Sequence, residues 1–599
     1  MKHVTHHIIH DPYSIMPLAI GLASSTCLMI IFLISINCPG PHPFTFIAIM
    51  IPDSLILWLP MLILWPKWRW TNPILLSLAA IFFYCNTLYF RNFGDIMSTS
   101  TLALGNTIDK LIIRSAISSA KFSDILFLVP SIISAMSIAT MRKSSCSNRL
   151  SWKLKCACII ACIFMAAICQ HKLYRNTIGF ARDRGIDIEN ISYAQRFQMF
   201  FDSETIVTEQ IARHGITLGL ITDYVFNFNE LKPAPQEIIN EISDWGIQNS
   251  ACTLDDNHNR QIKNVIFIVV ESLNSIAIEW NHNNRLAMPV LNALTLDSSS
   301  ISFSSVIPQV GSGRSSDGQM MYLSGIYPSI RTPMPAISPD GPYPSIARIP
   351  TFSGNTIEMI PESETLWNHR RTSKGYGFKK LYSDIVKSDY SVSVDSVLLT
   401  IAADSILESE QPFFYFITPV GMHDPYDKFP IETWISDIAG LDYRDKIYLE
   451  ACAAFDKALG TFLQRINNSS LKDNTLIIIA SDHEARVSCL SPAMSDERIF
   501  FAMLNSGLKG FKCNEIVGQI DIFPTVIDAL GLWNHTRWHG FGTSLLQNIP
   551  GFAIRHDRTI AGDSTSNKDL IDRQLRAIDV SQKWINATNK QLIMTSLGD

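Results

Sequence analysis

Residues 264–275 read Asn-Val-Ile-Phe-Ile-Val-Val-Glu-Ser-Leu-Asn-Ser, and the run that opens this stretch decides the fold. It is β-branched and aromatic, too short to span a bilayer, and lacks the polar alternation of a half-exposed strand. That predicts a strand buried on both faces of a parallel sheet. The run ends on Glu271. In doubly wound α/β sheets ligands bind in the crevice outside the carboxyl ends of the strands, so a carboxylate there is placed to hold a cation or a substrate. Taken alone, Glu271 is as easily explained as the start of a helix, where acids are favoured.

The next segment decides between the two. Gly311-Ser-Gly-Arg-Ser-Ser-Asp317 is small and polar and runs into the apolar helical pattern of Met320, Met321, Leu323 and Ile326. Ser315 and Ser316 therefore sit near a helix N-terminus, where backbone N–H groups and the helix dipole favour an anion. Asp317 fits an ordinary helix cap. Two serines and an arginine crowded into a glycine turn ask for a further reason.

Two more apolar runs deliver chemistry at their ends. Thr475-Leu-Ile-Ile-Ile-Ala-Ser481 leads directly into Asp482-His483-Glu484, and Phe413-Phe-Tyr-Phe-Ile-Thr418 leads to His423. Two carboxylates, an imidazole and a hydroxyl (Glu271, Asp482, His483 and Ser315) make a site suited to one divalent cation, Mn²⁺ first, with Mg²⁺ or Zn²⁺ as alternatives. His423 is placed for substrate contact or proton transfer, the reading its position favours over a structural histidine.

Further buried strands are expected at Thr356–Ile360 and Ile499–Leu504, with helices at Tyr443–Ile466 and Ile520–Leu530. The alternation implies one α/β domain with a largely parallel central sheet over residues 264–599.

Ahead of it the composition changes. The chain has 599 residues, of which 47% are hydrophobic and 17% charged, and its mean hydropathy is +0.14. The excess lies in Ile15–Ile36, Phe44–Trp65, Pro73–Phe90, Phe122–Thr140 and Leu154–Leu173, each close to the ~20 residues that a bilayer requires. Residues 1–173 are thus read as an α-helical membrane domain of five spans, the fifth relying on Lys155 and Lys172 to snorkel. Asp53 is a charge inside the second span, expected either to line a lipid path or to pack against another helix. Trp65, Trp68 and Trp70 suit an interfacial belt. An amphipathic helix is expected within the external loop 91–121. Residues 174–263 read as a helical linker, best at Ile206–Ile221 and broken at Pro233 and Pro235.

Lys67 and Arg69 after the second span, and Arg142, Lys143, Arg149, Lys153 and Lys155 before the fifth, mark cytoplasmic loops. The expected location is the cell membrane, with the N-terminus inside and the α/β domain extracytoplasmic. The His-rich start lacks the basic n-region and cleavage site of a signal peptide. Of twelve cysteines, eight fall before residue 170 in membrane or loop segments; Cys252, Cys452, Cys489 and Cys513 lie in the extracytoplasmic part, where disulfides are permitted, with three possible full pairings. The net charge of −5 and the scattered basic residues carry no nucleic-acid footprint.

At these residues the chain resembles the alkaline phosphatase and sulfatase superfamily, most closely its membrane-bound lipoteichoic acid synthase and phosphoglycerol transferase branch. The matching motifs are Val270-Glu271-Ser272-Leu273, Gly313-Arg314-Ser315-Ser316-Asp317, Trp367-Asn368, His423 and Ser481-Asp482-His483, with Asp521–Thr525 and Gly540–Ser544 as structural echoes. The resemblance implies a sulfatase-like fold, with Glu271, Ser315, Asp482 and His483 as metal ligands and Ser315 as nucleophile. Trp367, His423, Arg314 and His369 become pocket residues. It also implies a phosphotransferase that moves phosphoglycerol from a membrane phospholipid to a glycan or polymer through a covalent serine intermediate, with a phosphoethanolamine transferase or a catalytically silent envelope regulator as alternatives. The synthases usually carry Gly-Lys-Thr-Ser-Asp, so Arg314 and Ser315 stand for lysine and threonine. His369 stands where they place an arginine. The formylglycine signature of hydrolytic sulfatases is missing at the nucleophile turn.

The topology has a direct check. Protease added to intact cells or spheroplasts should release a fragment beginning between Tyr174 and Lys263; cleavage that requires lysis of the membrane would reject the five-span orientation.

Overall fold

The computed structural model describes residues 12–36, 43–93, 96–98, 119–140, 152–183, 207–226, 231–248 and 262–598, apart from 330–331, 353, 386–392, 425, 427–433, 486–489, 534–535 and 566. The expected amphipathic helix of loop 91–121 falls largely outside them, as do Cys252 and Cys489. The described residues form two compact units divided between 228 and 229.

In the first unit, five helices are long and apolar enough to cross a membrane: Met16–Ser35, Thr45–Leu64, Thr71–Asn92, Phe122–Ala139 and Trp152–Arg175. The fourth begins as a 3-10 turn, Phe122–Leu128, which Pro130 at the head of Val129–Ala139 helps convert to α-helix. Apolar burial alone does not drive helices together in lipid, and polar side chains join these. Asn72 donates to Ser25 Oγ (3.0 Å) and to the Leu57 carbonyl (3.1 Å), while Ser134 donates to Asn72 Oδ1 (2.8 Å). One asparagine on the third helix thereby ties the first, second and fourth.

Asp53 is buried and packs against another helix. After the spans come two short helices, Val207–His214 and Ile216–Phe226, in the same unit. The break between them is Gly215, at φ +89°. Asp53 Oδ2 accepts from Ile216 N (2.7 Å) and Oδ1 from Thr217 N (2.8 Å). A carboxylate thus satisfies the free N–H groups of a helix start and faces its positive dipole end.

Lys155 differs from expectation. It is buried at 8% exposure and donates from Nζ to the carbonyls of Ile63 (2.8 Å) and Trp65 (2.7 Å). It caps the end of the second helix instead of snorkelling, because those last carbonyls have no intrahelical partner. Trp65 is likewise buried, whereas Trp68 and Trp70 are exposed as belt residues would be.

The second unit contains the α/β domain. The main sheet has nine strands: the two-residue Val517–Gly518, which pairs with β2, and eight along its path, β1 Asn264–Val270, β2 Ile301–Ile307, β3 Thr356–Met359, β4 Lys380–Tyr382, β5 Phe414–Ile417, β6 Thr475–Ser481, β7 Ile499–Leu504 and β8 Phe511–Cys513. They lie side by side in the order β8-β2-β7-β6-β1-β5-β3-β4. All neighbours are parallel except β7, which runs antiparallel to both β2 and β6. The five strands expected from the sequence are present. β2 lies outside that expectation, since its serines at 302, 304 and 305 break the apolar run.

β1 lies between β5 and β6, and every one of its residues is buried, as its composition requires. Helices Val394–Leu407 and Tyr443–Asn467 cover one face of the sheet with Leu398, Ala402, Leu449, Phe455 and Phe462 against Ile266, Ile268, Tyr415 and Ile477. Cys452 is buried in this layer, and both Cys452 and Cys513 are free thiols, so none of the three full pairings forms.

The residues expected as a linker are shared between the units. Residues 231–248 belong with the α/β domain, where helix Gln236–Gln248 starts just after Pro235. Trp245 packs edge-on to Phe541 and under the Arg573 guanidinium, and Asn589 exchanges hydrogen bonds with both backbone groups of Ala234 (2.7 and 3.2 Å).

Asp53→Ala should leave two buried N–H groups without an acceptor, at a cost of about 1–3 kcal/mol. The expected result is faster proteolysis within 207–226 in the detergent-solubilised full chain, with Asp53→Asn intermediate; cleavage at the wild-type rate in both variants would exclude the cap.

Candidate metal and nucleophile site

Parallel register brings the acids together. Val270 pairs with Ser481, and Asp482 N donates to the Val270 carbonyl (3.0 Å), so Glu271 and Asp482 leave adjacent strands at the same level. The chain then turns sharply at Ser272, whose φ of +54° is unusual for a residue with a side chain. Three contacts hold it there. Ser272 N donates to Asp482 Oδ1 (2.8 Å), Ser272 Oγ to Glu271 Oε1 (2.8 Å), and Tyr448 donates its hydroxyl to the Ser272 carbonyl (3.0 Å).

The Gly311–Asp317 turn approaches from another segment of the chain. Asp317 Oδ2 accepts from Gly311 N (2.9 Å) and Gly313 N (3.0 Å), so it ties the turn together in place of capping the helix it belongs to. Gly313 is required, because a Cβ there would stand 2.1 Å from Asp317 Oδ1. Helix Ser315–Ser324 then rests on the ligand loop with no side chain between them: a Cβ on Gly318 would meet the Asp482 carbonyl at 2.6 Å.

This geometry separates the two serines. Ser315 Oγ lies 3.1 Å from Glu271 Oε2 and 3.1 Å from His483 Nε2, whereas Ser316 Oγ turns back to the Gly313 carbonyl (2.8 Å). His483 Nε2 is also 3.3 Å from Glu271 Oε1 and 3.5 Å from Asp482 Oδ2. On its far side, His483 Nδ1 lies 2.9 Å from the Glu484 carbonyl. With the Nδ1 proton assigned to the Glu484 carbonyl, His483 keeps its Nε2 lone pair for a cation, and Arg314 Nη2, 3.1 Å from the same Nδ1, acts there by its charge and not by a hydrogen bond.

The electrostatics fit a cation. Ligand atoms of Glu271, Asp482 and His483 all lie within 4.8 Å of one another, and all three residues are buried. Among the described residues, none donates a hydrogen bond to the buried Asp482 Oδ2. Burial, together with the Glu271 charge, pushes Asp482 up to about 7. Burial also works against Glu271, but the hydrogen bond and charge of His483 hold it well below the usual carboxylate range. Two adjacent carboxylates of which one tends to keep its proton are a place where a divalent ion replaces that proton.

The remaining predicted residues sit on the same edge of the sheet. β6, β1, β5 and β3 are consecutive, and from their carboxyl ends come Asp482 and His483, then Glu271, then His423, then Trp367 and His369. His423 Nδ1 lies 2.6 Å from the Asp424 carbonyl, and its charge helps hold Glu271 ionised. Trp367 and Asn368 both adopt positive φ (+50° and +56°), and Asn368 is fixed to the Pro335 carbonyl (2.7 Å). His369 Nδ1 is buried and has no hydrogen-bond partner among the described residues, and burial lowers the imidazole below its ordinary value. Arg314 is held by Glu484, its Nη1 2.6 Å from Glu484 Oε1 and its Nη2 2.8 Å from the Glu484 carbonyl. Sequence reasoning gives Glu484 no role of its own, nor Ser272 or Tyr448. Glu484 stands in the Asp-His-Glu triplet, but nothing along the chain pairs it with Arg314.

Two family models match the chain: the sulfatase model over residues 263–532 and the lipoteichoic acid synthase N-terminal domain over residues 1–209. The chain thus carries a sulfatase-like domain behind an N-terminal region that matches the lipoteichoic acid synthase N-terminal domain. Among curated relatives, lipoteichoic acid synthase 2 of Bacillus subtilis is 22% identical over 76% of this chain and 71% of its own length. Lipoteichoic acid synthase of Staphylococcus aureus is 21% identical over 87% of this chain and 80% of its own. Of solved structures, the lipoteichoic acid synthase LtaP from Listeria monocytogenes aligns with a TM-score of 0.46 at 18% identity, covering 57% of this chain and 98% of that one. The sulfatase match spans every strand of the main sheet and every site residue named above, and the N-terminal match includes the five spans.

Close backbone packing in the sulfatase-like domain predicts that Gly318→Ala will push helix Ser315–Ser324 off the loop that carries Asp482 and His483. The expected cost is about 1–3 kcal/mol from overpacking, read as a lower denaturation midpoint together with weaker divalent-cation binding. A variant with wild-type metal affinity would show that the helix does not position the ligands.

Proposed function

We propose that the protein is a membrane phosphotransferase that moves a phosphoglycerol head group from a phospholipid to an envelope glycan or polymer, with its sulfatase-like domain outside the cytoplasmic membrane. The observation that carries this reading is Ser315 Oγ, 3.1 Å from both Glu271 and His483 at the head of a helix. The names of the curated relatives support the reaction class. The five spans and the basic loops support an active site reached from the outer leaflet.

Glu271, Asp482, His483 and Ser315 would hold one divalent ion, Mn²⁺ first. When bound, such an ion supplies charge that favours the serine alkoxide and offsets the phosphate. Ser315 Oγ attacks the phosphorus of the donor phosphodiester, and the bond to the diacylglycerol oxygen breaks. His423 gives that oxygen its proton. The head group then rests on Ser315 until an acceptor hydroxyl displaces the serine and loses its own proton to His423. Trp367 would offer an apolar wall to the glycerol. His369, kept neutral by burial, would hydrogen-bond the head group where relatives use an arginine. Arg314 would act on substrate only at second hand, since its guanidinium is engaged by Glu484.

Two experiments test the reading. The purified full chain, given head-group-labelled phosphatidylglycerol or phosphatidylethanolamine, should transfer label from the first; label from the second alone would replace phosphoglycerol with phosphoethanolamine as the cargo. Trapping with donor and then applying mass spectrometry should find the head group on Ser315. Ser315→Ala should abolish turnover and Ser315→Thr retain some, whereas Ser316→Ala should cost about 1 kcal/mol of stability and little activity. A head group on Ser316, or full activity in Ser315→Ala, overturns the mechanism.

A further inference from the structure

Arg314 directly precedes the nucleophile, and its backbone has φ +43°, a region a residue with a side chain rarely occupies. Its side chain reaches across to the other loop of the site. Nη1 meets Glu484 Oε1 at 2.6 Å, Nη2 the Glu484 carbonyl at 2.8 Å, and Nη2 also lies 3.1 Å from His483 Nδ1. Both partners are largely withdrawn from solvent, with side-chain exposures of 15% and 16%. A guanidinium so enclosed acts on its neighbours with little screening.

The charges around the ligands then have a definite balance. Glu271 and Asp482 bring negative charge to the cation site, and Arg314 brings a positive charge to the back of the imidazole that completes it. Glu484 cancels that positive charge at contact distance. We propose that Arg314 and Glu484 are positioning residues that together set the cation affinity of the site: Glu484 neutralises a guanidinium that would otherwise repel the cation through His483, and Arg314 fixes the nucleophile turn against the ligand loop. The inference rests on reading Glu271, Asp482, His483 and Ser315 as a cation site, and neither Arg314 nor Glu484 is itself a ligand.

The pair makes a prediction that a purely structural strut does not. Glu484→Gln keeps the shape and the hydrogen bond but leaves the guanidinium uncompensated, so Mn²⁺ affinity should fall by about tenfold. Arg314→Gln removes the cation and leaves Glu484 facing the ligands, so affinity should hold or rise while turnover drops as the turn loosens. The double variant should return toward the wild-type affinity, since two neighbouring charges that cancel give a strong coupling term. Glu484→Asp, which keeps the charge, should stay within a few-fold of wild type.

The measurement is Mn²⁺ titration of the detergent-solubilised full chain, monitored by electron paramagnetic resonance, with thermal unfolding of the metal-free protein run alongside. Weaker binding in Glu484→Gln with no weakening in Arg314→Gln supports the pair. Losses of affinity in both, or no change in either, with wild-type protein binding Mn²⁺ normally, overturn the pair and leave the cation site standing. Glu484→Asp binding as weakly as Glu484→Gln overturns it too, because charge would then not be the cause. Wild-type protein that binds no divalent ion overturns the cation-site reading and this inference with it.

Discussion

The site depends on a register: Val270 opposite Ser481, fixed by parallel ladder hydrogen bonds along the whole of β1 and β6. Because both strands end there, two carboxylates emerge side by side in a buried place where like charges are costly. A shift of one residue would turn one of them to the other face of the sheet. The surrounding structure serves that juxtaposition. Ser272 is held in a strained turn by Asp482 itself and by Tyr448, and helix Ser315–Ser324 sits directly on the Asp482 backbone.

Much of this is legible in the sequence because the chemistry sits at the ends of unbroken apolar runs. Glu271, Asp482, His483 and His423 each stand at or shortly past the carboxyl end of a run that can only be a buried strand, and membrane spans betray themselves by length and composition. The features that escape a linear reading depend on pairing between distant segments. Arg314 and Glu484 are 170 positions apart, and each has an ordinary local explanation. β2 is hidden by its serines; beside β7 they occupy a strand whose mixed composition resembles a loop. Asp317 has good local grounds to be a helix cap, yet its carboxylate faces backward to Gly311 and Gly313.

Capping explains both surprises in the membrane unit. In water, a free helix end can be satisfied by solvent, and in hydrocarbon it cannot. Asp53 and Lys155 therefore do opposite work at opposite ends: a carboxylate on the N–H groups of Ile216 and Thr217, and an ammonium on the carbonyls of Ile63 and Trp65. The charges that composition marks as expensive are the ones that complete the backbone's hydrogen bonding.

Lys155 carries a consequence for how such a protein is read by the insertion machinery. The same ammonium counts among the basic residues that retain the loop before the fifth span in the cytoplasm, and it also closes the second helix once the bundle has formed. Orientation is decided during synthesis, packing afterwards, so one side chain is used twice at different times. Charge-reversal experiments at this position would confound the two stages, and a neutral hydrogen-bond donor such as glutamine separates them: it leaves the carbonyls a partner while removing one of the five charges that orient the span.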